Sequence, residues 1–211
     1  MTPQRLTWLL ASGNAHKLEE FRRLFAPAGI EILSPADVGG LPEVDETGST
    51  FVANATLKAA SAAKVSGHFA LADDSGLCVD ALDGAPGVRS ARFAGPDADD
   101  AANRKQLLER LDGLPADRRS AHFVCALVLV APGGRVVTEV LGRTHGRILG
   151  TECGTGGFGY DPLFQFDEPA DPASGRSFAE LAPADKDRVS HRGRALEDLL
   201  KSLPQLDLGA N

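Results

Sequence analysis

The chain has 211 residues, with Lys+Arg at 22 against Asp+Glu at 29, a formal net charge of −7 and 43% apolar content. This is the composition of an ordinary globular protein, long enough for one domain that buries roughly 70% of its unfolded surface. The surplus of negative charge makes it a poor general partner for nucleic acid, whose binding rests on neutralising phosphates, although a local basic pocket for a small anion stays open.

Cys78, Cys125 and Cys153 are odd in number, far apart and without a CxxC spacing, which favours free thiols in a reducing compartment. The one early apolar run, Leu6 to Ala11, is too short for a signal segment or a membrane span, so a cytoplasmic protein is expected.

In chain order, Leu6–Ala11 reads as an interior strand. Ser12-Gly13-Asn14-Ala15-His16-Lys17 follows, then a helix with Leu18, Phe21, Leu24 and Phe25 on one face. A strand, a glycine-containing turn and a helix start together offer backbone N–H groups and a positive dipole end, which suits phosphate; Lys17 adds a point charge. The same pattern also describes a plain connection capped by Ser12 or Asn14, and no Walker A sequence is present. Glu31-Ile32-Leu33 is a short strand. Ser34 to Gly48 is a Pro/Gly-rich loop with Glu43, Asp45 and Glu46 close together. Thr50 to Val65 is an Ala-rich helix closed by Gly67. Its two lysines, Lys58 and Lys64, lie well round the helix from each other, so at most one faces a given site.

The central feature is Phe69–Ala72, a buried strand that runs into Asp73-Asp74-Ser75-Gly76. Unpaired acids at the end of an apolar strand are costly, and a hard divalent cation such as Mg²⁺ is one natural partner. Successive side chains of a strand point to opposite faces, so both aspartates reach one site only if the chain turns at Ser75-Gly76. The alternative is a strand-end turn in which the acids merely cap.

Leu77–Leu82 would then be the second arm of a hairpin. Asp99–Leu111 is a helix with Leu107, Leu108 and Leu111 inward, and Ala121–Val130 is the longest strand. Pro132-Gly133-Gly134 turns it into Arg135–Leu141, with Arg143–Leu149 as one more strand. Gly154, Gly156 and Gly159 make a formal GxGxxG, but Pro162 holds Asp161 away from helical geometry and no helical period follows; a dinucleotide fingerprint is rejected. The segment reads instead as a close-approach loop presenting Phe158 or Tyr160 to a flat ligand, or as a tight structural loop. Ser177–Leu181 is a short helix. Lys186 to Arg194 leads into a last helix with Leu196, Leu199, Leu200 and Leu203 on one face. Basic groups beside a helix N-terminus point to an anion or acceptor-rich ligand, or to pairing with surface carboxylates. No repeat, linker or zinc-ligand spacing appears, so residues 1–211 read as a single domain.

Several of these segments agree with one known family. They are Ser12-Gly13-Asn14…Lys17-Leu18-Glu19-Glu20-Phe21, Glu46-Thr47-Gly48…Thr50-Phe51…Asn54-Ala55…Lys58-Ala59 and Ala72-Asp73-Asp74-Ser75-Gly76-Leu77. Gly84 to Val88 with Ser90-Ala91-Arg92, Gly156 to Pro162, and Lys186…Ser190-His191-Arg192-Gly193 complete the set. The sequence resembles the inosine triphosphate pyrophosphatase family over nearly the whole chain.

That resemblance implies a homodimeric α/β fold with a long twisted mixed sheet flanked by helices, in two lobes with the active cleft between them. It implies Mg²⁺-dependent cleavage of ITP, dITP and XTP to the monophosphate and pyrophosphate. Ser12, Gly13, Asn14, Ala15, His16 and Lys17 would hold the triphosphate, with Lys58 a second phosphate contact. Glu46, Asp73 and Asp74 would coordinate or position the metal, Asp74 would accept the proton, and Ser75 would touch the nucleotide. Phe158, Gly159, Tyr160, Asp161, Lys186, His191 and Arg192 would surround the base. Ala53 departs from the pattern, standing where many relatives would carry an acid.

The chemistry agrees with the residues. An aspartate of pKa about 3.9 is a weak base at neutral pH, so metal acidification of the water would have to carry much of the activation unless Asp74 is considerably perturbed. A 6-oxo purine can accept from Arg192, His191 or backbone N–H groups, whereas adenine would leave those donors unpaired at about 1–3 kcal/mol each. The readings set against this are a same-fold enzyme for another modified nucleotide, a nucleotide-binding regulator without catalysis, and an NAD-dependent enzyme.

Overall fold

The computed structural model describes residues 6–208. Six strands, β1 (Thr7–Leu10), β2 (Glu31–Leu33), β3 (Phe69–Val79), β4 (Ser120–Val130), β5 (Val136–Ile148) and β6 (Phe164–Phe166), form a mixed sheet in the order β2-β1-β3-β4-β5-β6. β1 runs parallel to β2 and to β3, with Trp8 opposite Ile32 and Phe69, while β6 runs antiparallel to β5. Five α-helices accompany it: α1 (Ala15–Phe25), α2 (Phe51–Ser66), α3 (Asp100–Arg110), α4 (Pro183–Val189) and α5 (His191–Ser202). The expected mixed sheet flanked by helices is the one observed.

The chain forms two compact units. The first takes the residues up to Asp74, then Ala126–Leu141 and Ala195 onward; the second takes Ser75–Cys125 and Gly142–Arg194. Each has its own core. In the first, α2 lays Ala55, Ala59, Ala62 and Ala63 against Leu9, Ala70, Ala72, Ala126 and Val128 of the strands. Small side chains on both surfaces let the helix approach the sheet closely, which brings residues on the neighbouring helix face near the strand. Trp8 packs edge-on against Phe25 of α1 at 5.4 Å. The second core is aromatic: Phe123, Phe164 and Phe178 pack with ring centroids 4.7–5.8 Å apart beside Leu107, Leu111 and Val189. Each fully buried phenyl ring contributes about 1.5–3 kcal/mol of transfer free energy.

Three strand expectations are corrected. Ser75-Gly76 is not a hairpin: β3 runs through it unbroken to Val79 and then enters a short 3₁₀ turn at Asp80–Leu82. Arg135–Leu141 and Arg143–Leu149 are one strand, because Gly142 is buried within β5 and does not interrupt it. That 13-residue strand exceeds the 11 residues of β4, so β4 is not the longest. The Ser177–Leu181 helix is a 3₁₀ turn at Phe178–Glu180.

Candidate active site

The carboxylates of the central strand meet cations from two separate helices of the first unit. Asn14 caps α1 by accepting the Lys17 N–H at 3.1 Å, which starts the helix directly after β1. Lys17, in the first turn, reaches back so that its Nζ lies 2.9 Å from Asp73 Oδ2; the Asp73 side chain is fully buried. Thr50 caps α2 in the same manner, and Lys58, two turns in, lies with Nζ 2.9 Å from Asp74 Oδ1 and 3.0 Å from Glu46 Oε1. Ser12, Gly13 and Lys58 also line a cavity of about 210 Å³, whose apolar walls include Leu41, Pro42 and Val44. A Cβ on Gly13 would meet no atom within 4 Å.

β3 makes no turn here, and each aspartate takes its own lysine, while Asp73 also lies near enough to Lys58 to help raise its pKa. The convergence foreseen from a turn comes instead from Lys17 and Lys58 arriving from α1 and α2. Lys64, six residues on, is exposed. Ala53 is the third residue of α2, its N–H given to Thr50 Oγ1 at 3.1 Å; an acid there would complete a capping box.

The electrostatics of this cluster are one-sided, with three carboxylates facing two ammonium groups. Burial raises the Asp74 pKa above its usual 3.8; the Lys58 charge and hydrogen bond pull against it, and Glu46 pushes the same way as burial. Burial also works against the Lys58 charge, yet Asp74, Asp73 and Glu46 more than offset it and hold its pKa above 10.5. Both partners are thus shifted toward binding protons. Asp74 rises chiefly through burial, and Lys58 through the carboxylates around it. Lys58 Nζ already marks a point within hydrogen-bond reach of Glu46 and Asp74 oxygens. Among the described residues no three His, Cys, Asp or Glu side chains form a ready-made cage. The Glu46 and Asp74 oxygens that both reach the Lys58 ammonium are the ones that could hold a hard cation such as Mg²⁺.

The second unit gathers the residues expected around a base. Asp161 Oδ2 accepts the Phe158 N–H at 2.9 Å and a buried ion pair from Lys186 Nζ at 2.6 Å. Gly157 permits this, since φ is +72° and a Cβ would stand 2.0 Å from Asp161 Oδ2. Lys186 Nζ lies 5.1 Å and the Arg192 guanidinium carbon 5.7 Å from the Phe158 ring centroid, both at cation–π range. His191 stacks on Phe123 at 4.7 Å with planes 11° apart, and His191 and Arg192 are both buried.

Two members of the expected set also have partners within the fold. Tyr160 is buried and its hydroxyl donates to the Ser90 carbonyl at 2.9 Å, which pins the loop. Burial pushes its pKa well above the usual 10. Gly159 has both backbone groups engaged: its N–H donates to Asp100 Oδ2 at 2.7 Å and its carbonyl accepts from Arg104 at 2.9 Å. Asp100 and Arg104, i and i+4 on α3, were not foreseen from the sequence; their spacing was visible, but their target was not. Asn54 was likewise missed as a functional residue. The glycine segment is followed by β6 and not by a helix, in keeping with the rejected dinucleotide fingerprint. Ala15 and His16 are exposed in the first turn of α1, Ser12 is half-buried beside them, and Ser75 is half-buried in β3.

Fold and clusters together define an α/β protein of mixed-sheet type with lysine-bridged carboxylates beside a strand-to-helix turn. The model of the Ham1 family matches residues 8–202, and the chain belongs to that family. It is 50% identical over 195 residues to a dITP/XTP pyrophosphatase of Exiguobacterium sibiricum, covering 92% of this chain and 96% of the relative. A dITP/XTP pyrophosphatase of Desulforamulus reducens is 46% identical over 198 residues, covering 94% and 96%. Among solved structures, a HAM1 protein from Coxiella burnetii superposes with a TM-score of 0.83 at 41% identity, over 95% of this chain and 99% of that one. A nucleoside-triphosphatase / dITP/XTP pyrophosphatase from Mycobacterium abscessus does so with a TM-score of 0.72 at 47% identity, over 92% and 99%.

Proposed function

We propose that the protein hydrolyses non-standard purine nucleoside triphosphates, ITP, dITP and XTP, to the monophosphate and pyrophosphate. The observation that carries the reading is Lys58 held between Glu46 and Asp74, a cation already seated where a metal-bound polyphosphate would bring its charges. Relatives named dITP/XTP pyrophosphatase, matched over more than nine-tenths of the chain, supply the substrate class.

Lys17, Lys58 and the Ser12–Lys17 turn face the polyphosphate. Glu46, Asp73 and Asp74 would hold Mg²⁺, which would neutralise phosphate charge and acidify water. Asp74 takes the proton of the attacking water as the bond between the α- and β-phosphates breaks. Pyrophosphate leaves with the electron pair of that bond, and the water oxygen remains on the monophosphate. Arg192, His191 and Lys186 supply donors for a 6-oxo purine, and Phe158 a flat apolar face. Adenine at that site would strand donors at about 1–3 kcal/mol each, roughly 5- to 150-fold per contact.

A homodimer in the cytoplasm belongs to the same proposal. No helix among the described residues is long and apolar enough to cross a membrane. Light scattering of the purified protein checks the dimer. The deciding experiment incubates ITP, dITP, XTP, ATP and GTP with Mg²⁺ and separates pyrophosphate from orthophosphate. Pyrophosphate is expected from the first three and little from the last two; stepwise orthophosphate would refute the reaction.

A further inference from the structure

Asn54 lies one helical turn before Lys58 on α2, so both side chains leave on one face of the helix. Its side chain is fully buried. Oδ1 accepts the Gly48 N–H at 2.8 Å, and Nδ2 donates to Asp74 Oδ2 at 3.3 Å. The partners dictate this amide orientation, since a backbone N–H can only donate and a carboxylate can only accept. Asp74 is therefore gripped at both oxygens by one helix face: Oδ2 by Asn54, Oδ1 by Lys58.

The two grips are unequal. Lys58 is a point charge on a flexible four-carbon stem, able to swing toward an arriving phosphate. Asn54 has a short side chain, no exposure and a second bond that ties it to the loop carrying Glu46, two residues before Gly48.

We propose that Asn54 is a positioning residue: it fixes the Asp74 carboxylate through Oδ2, so that Oδ1 is the oxygen that takes the proton, and it holds the Glu46 loop against the same helix face. This rests on the reading of Asp74 as the proton acceptor. Gly48 provides an independent observation. A Cβ there would stand 2.6 Å from Asn54 Oδ1, 2.8 Å from Ala53 Cβ and 3.0 Å from the Asn54 nitrogen. Only glycine lets the loop close on Asn54 this tightly, and the nearest atoms a side chain there would meet belong to Asn54 and Ala53.

The test measures kcat and KM for ITP at saturating Mg²⁺, by pyrophosphate release, in Asn54→Asp, Gly48→Ala and the double variant. Asn54→Asp keeps the acceptor for Gly48 but sets a carboxylate against Asp74. Loss of outer-shell support or a small misplacement of a reacting group typically costs about 10- to 100-fold. A fall of that size in kcat is expected for each single variant, with KM within about threefold. The double variant is expected to lose no more than the worse single one, because both act through one contact. Unchanged kcat in Asn54→Asp, a loss confined to KM, or multiplicative losses in the double variant would overturn the proposal. If Asn54→Asp does not fold by circular dichroism, Asn54→Ser, whose hydroxyl is too short to reach Asp74, is read by the same criteria. Wild-type protein in the same assay separates the two ideas. No pyrophosphate from wild type sinks the functional reading and this inference with it; an active wild type matched by Asn54→Asp sinks the inference alone.

Discussion

Replacing Lys58 by Met removes the cation shared by Glu46 and Asp74 while keeping most of the side-chain volume. At 2.9 and 3.0 Å and an effective dielectric near 20, each contact is worth about 5–6 kcal/mol of gross Coulomb attraction, most of it offset by desolvation. Removing one partner of a buried pair costs about 3–5 kcal/mol. Here the lower end applies, because the Glu46 side chain is 26% exposed and Asp74 can relieve its charge by protonation.

For a chain of this size, about 3 kcal/mol lowers Tm by roughly 6–12 °C. The sign with pH follows from the raised Lys58 pKa. Its stabilisation is complete below the unfolded value of 10.5 and is lost only as pH rises through the still higher folded value, so it is fully present at pH 7. Loss of one preorganised charge on the reacting phosphates should lower kcat/KM by about 10²–10³. Differential scanning calorimetry at pH 7 and pyrophosphate release from ITP measure the two effects. Wild-type kcat/KM in Lys58→Met, whatever its Tm, would remove Lys58 from the reaction and leave it a structural cation.

Asp74→Asn should abolish pyrophosphate release while nucleotide binding, followed by calorimetry, stays within a few-fold of wild type; full activity would dismiss Asp74 as the proton acceptor. Tyr160→Phe strands the Ser90 carbonyl and should cost about 1–3 kcal/mol in urea unfolding with KM for ITP unchanged. A raised KM with unchanged stability would return Tyr160 to the base site. Hydrogen bonds from Arg188 and the Ala173 N–H hold the Asp171 carboxyl at about 2. A depressed acid stabilises above its unfolded value of 3.8 and loses that contribution as pH falls toward about 2. Carboxyl NMR should place its midpoint near 2 and move it toward 3.8 in Arg188→Gln; a wild-type midpoint of 3.8 would refute the pairing.

Local sequence carried much of the architecture. The apolar runs at Leu6–Ala11 and Ala121–Val130, the capped helices at Asn14 and Thr50, and the leucine spacing of α3 are legible because period, cap and breaker act within a few residues. The members of the site were legible too, as short strings of acids, lysines and glycines at turns. What the sequence alone determined was therefore most of the elements, though not the continuity of β3 through Ser75-Gly76 or of β5 through Gly142, and which side chains carry charge. Pairing was decided by tertiary structure. Lys17 meets Asp73 and Lys58 meets Asp74 across 56 and 16 residues of chain, because α1 starts directly after β1, the neighbour of β3, and α2 packs on the sheet through small residues. The bond from Tyr160 to Ser90 was not legible either, since only the folded core places that carbonyl beside its hydroxyl. Asn54 hid inside an Ala-rich helix because its role depends on Gly48 and Asp74, and sequence carries no distance between groups that only packing brings together.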